Sequence, residues 1–308
     1  MKKITKILSI LAVFAFAFSF AGCSSGDDDS NNYSGSGASS SGQVSENFVK
    51  IPAASIDGTE TWTPESEVFI SGRKLEIASF YMSDHEVTRG EYKALMGSDP
   101  STAEAYDKDG NELTGDDAKN NPVNNVSWYD ALVYCNTRSI KENLTPCYAI
   151  GGKTNPSEWG EVPTSQDDTW DAAICDFTAD GYRLPTEVEW EWAARGGESY
   201  EYAGSDAIGE VVWYEENASD GTRDVKTKKK NAYGLYDMSG NVWEWCWDWY
   251  GDISSGTPNS GSASGAYRCP RSGSWYDHDI IAQVTYRGSI SPNYRDFSYG
   301  FRIVRTTK

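Results

Sequence analysis

Histidine is nearly absent from this sequence: His85 and His278 are the only two in 308 residues, too few for a polyhistidine metal centre. Basic side chains are also scarce, 27 against 46 acidic ones, and the net charge is −19. Such an acidic surface argues against nucleic acid and against anionic headgroups as partners. Long hydrophobic runs are missing too. The longest, Ile7 to Gly22, falls short of the roughly 20 residues a membrane-spanning helix needs.

That run has another reading. Lys2, Lys3 and Lys6 precede it, and it ends Phe20-Ala21-Gly22-Cys23, which resembles a bacterial lipobox. The expectation is a signal peptide over 1–22 with Cys23 as the acylated first residue of the mature chain. Acyl chains would tie the protein to a membrane, each buried methylene contributing about 0.8 kcal/mol. The expected location is therefore the outer membrane or cell surface, with lipid as anchor. Losing the three lysines takes the net charge to −22. Residues 23–45 are rich in Ser, Gly, Asp and Asn with no apolar period, the composition of a flexible tether. Residues 46–308 are long enough for one large domain with a sizeable core.

Besides Cys23 the chain carries Cys135, Cys147, Cys175, Cys246 and Cys269. In an oxidising compartment some should pair. Cys147 and Cys175 bracket an insertion-like loop and are the expected disulfide, with about 3 kcal/mol from loop closure. Three helix starts are legible. Thr88 and Glu91 form a capping box ahead of Tyr92, Leu95 and Met96, and Gly97 stops the turn. Ser127 precedes Trp128, Leu132 and Cys135 at helical spacing; Thr186 and Glu189 form a further box, with Val188 and Trp192 four apart. Elsewhere Gly, Asn, Asp and Ser punctuate short aromatic-rich pieces. The pattern predicts an α+β domain with few helices and much irregular loop.

Several segments resemble the formylglycine-generating, sulfatase-modifying family. They are Glu86-Val87-Thr88-Arg89-Gly90-Glu91-Tyr92, Asn121-Pro122-Val123, Gly181-Tyr182-Arg183-Leu184-Pro185-Thr186-Glu187, and Gly234-Leu235-Tyr236-Asp237-Met238-Ser239-Gly240-Asn241-Val242-Trp243-Glu244-Trp245. Arg271-Ser272-Gly273-Ser274-Trp275 and Gly300-Phe301-Arg302 close the series in family order. The resemblance implies a C-type-lectin-like fold, a twisted, mostly antiparallel sheet with flanking helices and extensive ordered loops. It also implies a copper(I) centre built from two cysteines five residues apart. Counted from the Gly-Ser-aromatic turn, those positions here are Asp277 and Ala282. A carboxylate and a methyl group cannot replace two soft thiolates, so neither copper nor catalysis is expected. A structural calcium site implied by the family maps to Asp237, Gly240, Val242 and Glu244, hard oxygen donors suited to that ion.

The stretch 276–299 departs most from the family. Framework matches remain at Val284, Arg287, Pro292 and Arg295. Between them lie Tyr276, Asp277, His278, Asp279, Ile280 and Ile281, then Tyr286, Gly288, Ser289, Ile290 and Ser291, then Asn293, Tyr294, Asp296, Phe297, Ser298 and Tyr299. The stretch has no Lys, Glu, Leu, Met or Trp and one Gln. Asparagine codons randomised at adenine yield such a set. This resembles the lipoproteins varied by diversity-generating retroelements, whose variable region here would span about 271–302. Tyrosine and phenylalanine give rigid contact area and small polar residues adapt, as in other diversified binding faces. Tyr276, Tyr294, Phe297 and Tyr299 are the expected anchors, while Trp243, Trp245, Trp247, Trp249 and Trp275 read as core or wall. The expected function is display of a non-catalytic face toward a protein or glycan on another cell. The competing readings are a formylglycine-generating type of enzyme or related oxidase, and an inert structural lipoprotein.

Overall fold

The computed structural model describes residues 47–218 and 220–307. The signal peptide, Cys23 and the whole tether fall outside the described residues. Among the described residues no helix is long and apolar enough to cross a membrane.

The three capping motifs give the three longest helices. Thr88 caps Arg89–Met96, and its hydroxyl accepts from the Glu91 N–H while Glu91 reaches back to the Thr88 N–H. Gly97 ends that helix in the left-handed region at φ 89°, a conformation glycine adopts without a Cβ penalty. Ser127 caps Trp128–Lys141 reciprocally with Asp130, and Thr186 caps Glu187–Arg195 with Glu189. Trp128, Leu132 and Cys135 are fully buried, as their spacing requires. In the third of these helices Val188, Trp190, Ala193 and Ala194 form the inner face, and Trp192 sits half out, its indole donating to the Pro52 carbonyl at 2.9 Å.

The strands form several small sheets. The largest is antiparallel, in the order Phe48–Ile51, Phe80–Ser83, Val304–Thr306, Tyr182–Arg183. The end of the described chain is thus an inner strand. A second sheet sets Trp243–Trp249 between Arg268–Arg271, antiparallel to it, and Tyr299–Gly300, parallel to it. The central strand is buried on both sides. Trp245 packs in one core cluster with Trp128, Tyr148 and Phe301, whereas Cys246 packs in a second with Ile51, Trp190 and Val304. These α+β elements with long ordered loops match the expected fold class.

The expected disulfide is not formed: Cys147 and Cys175 are free thiols, as are Cys135, Cys246 and Cys269. The reason lies in register. Cys175 opposes Tyr148 on the neighbouring strand, one residue away from Cys147, so the two sulfurs do not share a rung. Burial pushes both thiols up, away from the reactive thiolate.

Candidate ligand-binding face

The C-terminal stretch leaves the sheet after Arg268–Arg271 and rejoins it at Tyr299–Gly300. Between them it forms only one 3-10 turn, Asp279–Ala282. Four arginines hold it down. Arg271 donates to Glu187 at 2.7 Å, to Glu191 at 2.9 Å and to the Val284 carbonyl at 2.6 Å. Arg287 forks onto Glu187 at 2.5 and 2.9 Å, and Arg295 onto Asp130 at 2.7 and 3.1 Å. Arg302 forks onto Glu244 at 2.6 and 2.6 Å. Bidentate guanidinium–carboxylate pairs fix direction as well as distance.

The helix caps supply two of these carboxylates. Asp130 closes the Ser127 capping box with the same carboxylate that grips Arg295. Glu187 is the first residue of its helix, where the dipole favours negative charge. Burial raises its pKa, but Arg271 and Arg287 outweigh burial and hold it at about 2. The Cys269 thiol also donates to Glu187, at 2.9 Å. Asp248 faces the same carboxylate and accepts the Glu187 N–H at 2.8 Å; burial and the Glu187 charge push it up to about 8.

Between the pins, seven of the seventeen positions of the sequence-predicted face are exposed. Tyr276 is 62% exposed, Ile280 56% and Tyr294 38%, and His278, Asp279, Tyr286 and Ser289 are exposed too. Asp277, Ile281, Gly288, Ile290, Ser291, Asn293, Asp296, Phe297 and Tyr299 are half-buried. Ser298 is buried, its hydroxyl donating to Asp296 at 3.0 Å. Two others are tied into the frame. A Cβ on Gly288 would lie 2.7 Å from Pro270 and 2.9 Å from the Trp243 ring, and Ile290 exchanges both backbone hydrogen bonds with Arg268. The rings form two groups. Tyr299 stacks on Trp243 at 6.0 Å and meets Tyr294 edge-on at 5.4 Å, while Trp275, Tyr276 and Phe297 pack as a mutually contacting triad. Trp243 and Trp275 are therefore walls beneath the exposed tyrosines.

The two positions to which the resemblance assigns copper-binding cysteines sit in different settings. The Asp277 carboxylate accepts from the Ser274 hydroxyl at 2.5 Å, and burial raises its pKa despite hydrogen bonds from Ser274 and Trp243. Ala282 is fully buried against Tyr202, Val211, Val212 and Tyr214. Neither offers a soft donor.

The predicted calcium residues are all buried: Asp237, Gly240 and Val242 lie on the loop that leads into the Trp243–Trp249 strand, and Glu244 lies on that strand. Asp237 has a buried Oδ1 with no protein partner, the feature a cation would satisfy, and its Oδ2 accepts the Lys226 N–H at 2.8 Å. Glu244 instead gives both oxygens to Arg302 and one also to the Trp190 indole at 2.6 Å. The Gly240 carbonyl accepts from Ser272 at 3.1 Å, and a Cβ there would come within 2.2 Å of the Trp213 carbonyl. The Val242 N–H donates to Glu86 at 3.1 Å. Glu86, which the motif did not single out, is fully buried, and burial with Asp237 and Glu244 nearby pushes its pKa well up. Asp237 fits a cation; Glu244, as placed, faces its arginine. Among the described residues no three His, Cys, Asp or Glu side chains converge as a metal cluster.

Comparison with known proteins agrees with this geometry. The Treponema denticola variable protein 1 superposes with a TM-score of 0.72 at 36% identity, covering 84% of this chain and 95% of that one. A Paenibacillus barcinonensis protein named chaperone protein LppX is 35% identical over 257 residues, 77% of this chain and 83% of its own. The Streptomyces coelicolor formylglycine-generating enzyme is 36% identical over 157 residues, 44% of this chain and 50% of the enzyme. Residues 38–307 match the sulfatase-modifying factor enzyme 1-like domain, and the chain belongs to that family.

Proposed function

We propose that the protein is a surface-displayed, non-catalytic binding protein. Its residues between the arginine pins form a recognition face that a retroelement diversifies, directed at a protein or glycan on another cell. One observation carries this reading. Where the family's oxidases need paired thiolates, this chain has a hydrogen-bonded carboxylate at Asp277 and a packed methyl at Ala282. The likeness to the Treponema variable protein supports it, as do the exposed Tyr276, Ile280 and Tyr294 on a pinned backbone. A rigid frame loses little ordering free energy on binding. Cys23 and the preceding apolar run support the lipid anchor and the cell-surface location. The open Asp237 oxygen supports a structural calcium ion, held with the Gly240 and Val242 carbonyls.

The competing reading, a formylglycine-generating activity, draws on the match to the Streptomyces enzyme. Incubation with copper(I), oxygen and a cysteine-containing sulfatase peptide separates the two by peptide mass. Unchanged thiol supports a binding protein, and conversion to the aldehyde overturns it. Sequencing the locus and its surroundings in several strains tests diversification. We expect substitutions confined to the face and unchanged Arg271, Arg287, Arg295 and Arg302. A reverse transcriptase and a near-copy of the gene's end, differing at adenines, should lie beside it. Uniform alleles without that copy overturn it.

A further inference from the structure

The second sheet continues past Arg268–Arg271. Ile290 and Arg268 exchange both backbone hydrogen bonds, at 2.8 and 3.2 Å, and the Gly288 N–H donates to the Pro270 carbonyl at 2.9 Å. Residues 288–290 therefore lie antiparallel along the outer side of Arg268–Arg271, whose other side pairs with Trp243–Trp249. In an antiparallel pair one residue turns its N–H and carbonyl toward the neighbour and the next turns them away. Gly288 and Ile290 face inward, so the main-chain groups of Arg287 and Ser289 face out. Among the described residues neither the N–H nor the carbonyl of Arg287 or Ser289 has a hydrogen-bond partner.

Solvent reaches this edge. The Arg287 side chain is only 5% exposed, held on Glu187, yet the residue as a whole is half-buried, so its open surface is main chain. Ser289 is exposed, and Gly288 has no side chain to shield its neighbours. Turns bound the edge at both ends: the Tyr286 N–H donates to the Gln283 carbonyl at 3.1 Å, and the Tyr294 N–H to the Ser291 carbonyl at 3.0 Å. An exposed tyrosine stands on each face. Side chains alternate along a strand, so Tyr286 shares the face of Gly288, and its ring leans on Trp243 at 5.9 Å. On the opposite face the Arg287 guanidinium lies over the Tyr250 ring at 4.9 Å.

We infer that this edge takes an extended segment of a polypeptide partner as one more strand, paired with the main chain at Arg287 and Ser289 and flanked by the rings of Tyr250 and Tyr286. An uncovered edge of N–H and carbonyl groups is a template for another strand. Main-chain pairing of this kind supplies affinity, and the side chains around it supply choice. A sugar offers hydroxyls without the matching repeat. A change at Ser289 alters a side chain but leaves its N–H and carbonyl in place, so the face can vary and still grip. The inference rests on the binding-face reading and narrows its ligand from protein or glycan to an extended protein strand.

The test pans a phage-displayed library of random peptides against the full-length protein and resynthesises the strongest binder. Methylating the backbone nitrogens of that peptide one at a time removes one N–H per variant. Strand pairing predicts a period of two: every second methyl group weakens binding by about tenfold or more, and those between leave it nearly unchanged. Hydrogen exchange at the Arg287 and Ser289 amides should slow in the complex. Ser289→Pro deletes one outward N–H at an edge, where proline is tolerated, so the peptide should bind about tenfold more weakly at an unchanged melting temperature. The methylation series decides whether or not that variant folds. No binder, methylation without the period of two, or full binding to a folded Ser289→Pro overturns the inference. If it fails while alleles vary and the sulfatase peptide keeps its thiol, the recognition face stands and only this mode of contact falls. An aldehyde on that peptide removes the binding-face reading itself.

Discussion

Arg287 reaches across 100 residues of sequence to fork onto Glu187, which also holds Arg271. One carboxylate thus fixes both the start and the middle of the C-terminal stretch. Replacing it by Glu187→Gln leaves two buried guanidinium groups short of a counter-charge. The expected loss is about 3–5 kcal/mol, read as a lower midpoint in urea unfolding. A shift under 1 kcal/mol would show that the pins do not organise the stretch.

The exposed rings behave oppositely. Tyr276→Ala and Tyr294→Ala remove side chains that face solvent, so each should change stability by about 1 kcal/mol or less. Trp245→Ala, which empties a fully buried site and deletes a hydrogen bond to the Val126 carbonyl, should cost about 3–5 kcal/mol. If the tyrosine variants cost as much as the tryptophan one, those rings belong to the core and not to a recognition face.

Glu187 and Asp248 give opposite pH signatures. The folded pKa of Glu187 is depressed to about 2, so its contribution is present above the unfolded value of about 4.5 and fades as pH falls toward 2. Asp248 is raised to about 8, so its contribution is complete below its unfolded value near 4 and is lost as pH rises to 8. Asp248→Asn keeps an oxygen for the Glu187 N–H and removes the charge. Its melting temperature should exceed that of the parent by a margin that widens from pH 4 to pH 8. A constant margin would count against the raised pKa.

Calcium should act through Asp237. A ligand that binds only the folded form stabilises it by about 2.7 kcal/mol at a hundredfold excess over its dissociation constant. Millimolar calcium, compared with a chelator, should therefore raise the melting temperature of the parent but not of Asp237→Asn. If the parent melts at the same temperature in both conditions, the open carboxylate oxygen serves some other purpose.

The helices were legible because capping is local: each box needs two residues three apart, at Thr88, Ser127 and Thr186. The C-terminal stretch was legible from its departure from the family pattern and from its restricted set of residue types, and seven of its seventeen singled-out positions are exposed. The pins were half legible. Their arginines stood out, but Glu187, Glu191, Asp130 and Glu244 lie 58 to 165 residues away in sequence, and no spacing rule reaches that far. The Trp243–Trp249 strand escaped for a different reason. Its acids and cysteine lie buried alongside its tryptophans, so the usual apolar–polar contrast of a strand was missing. Gly288 and Ile290 looked like free positions because sequence does not reveal how closely Pro270, Trp243 and Arg268 approach them.

Val304–Thr306 is hydrogen-bonded on both sides, to Phe80–Ser83 and to Tyr182–Arg183. Translation reaches this strand only after passing through every position proposed to vary. A copying slip that shifts the reading frame within 276–299 would replace an inner strand with unrelated sequence, and the sheet would have no third member to zip against. Under the proposed diversification, folding would then screen the copies, since those that lose this strand would lose the sheet.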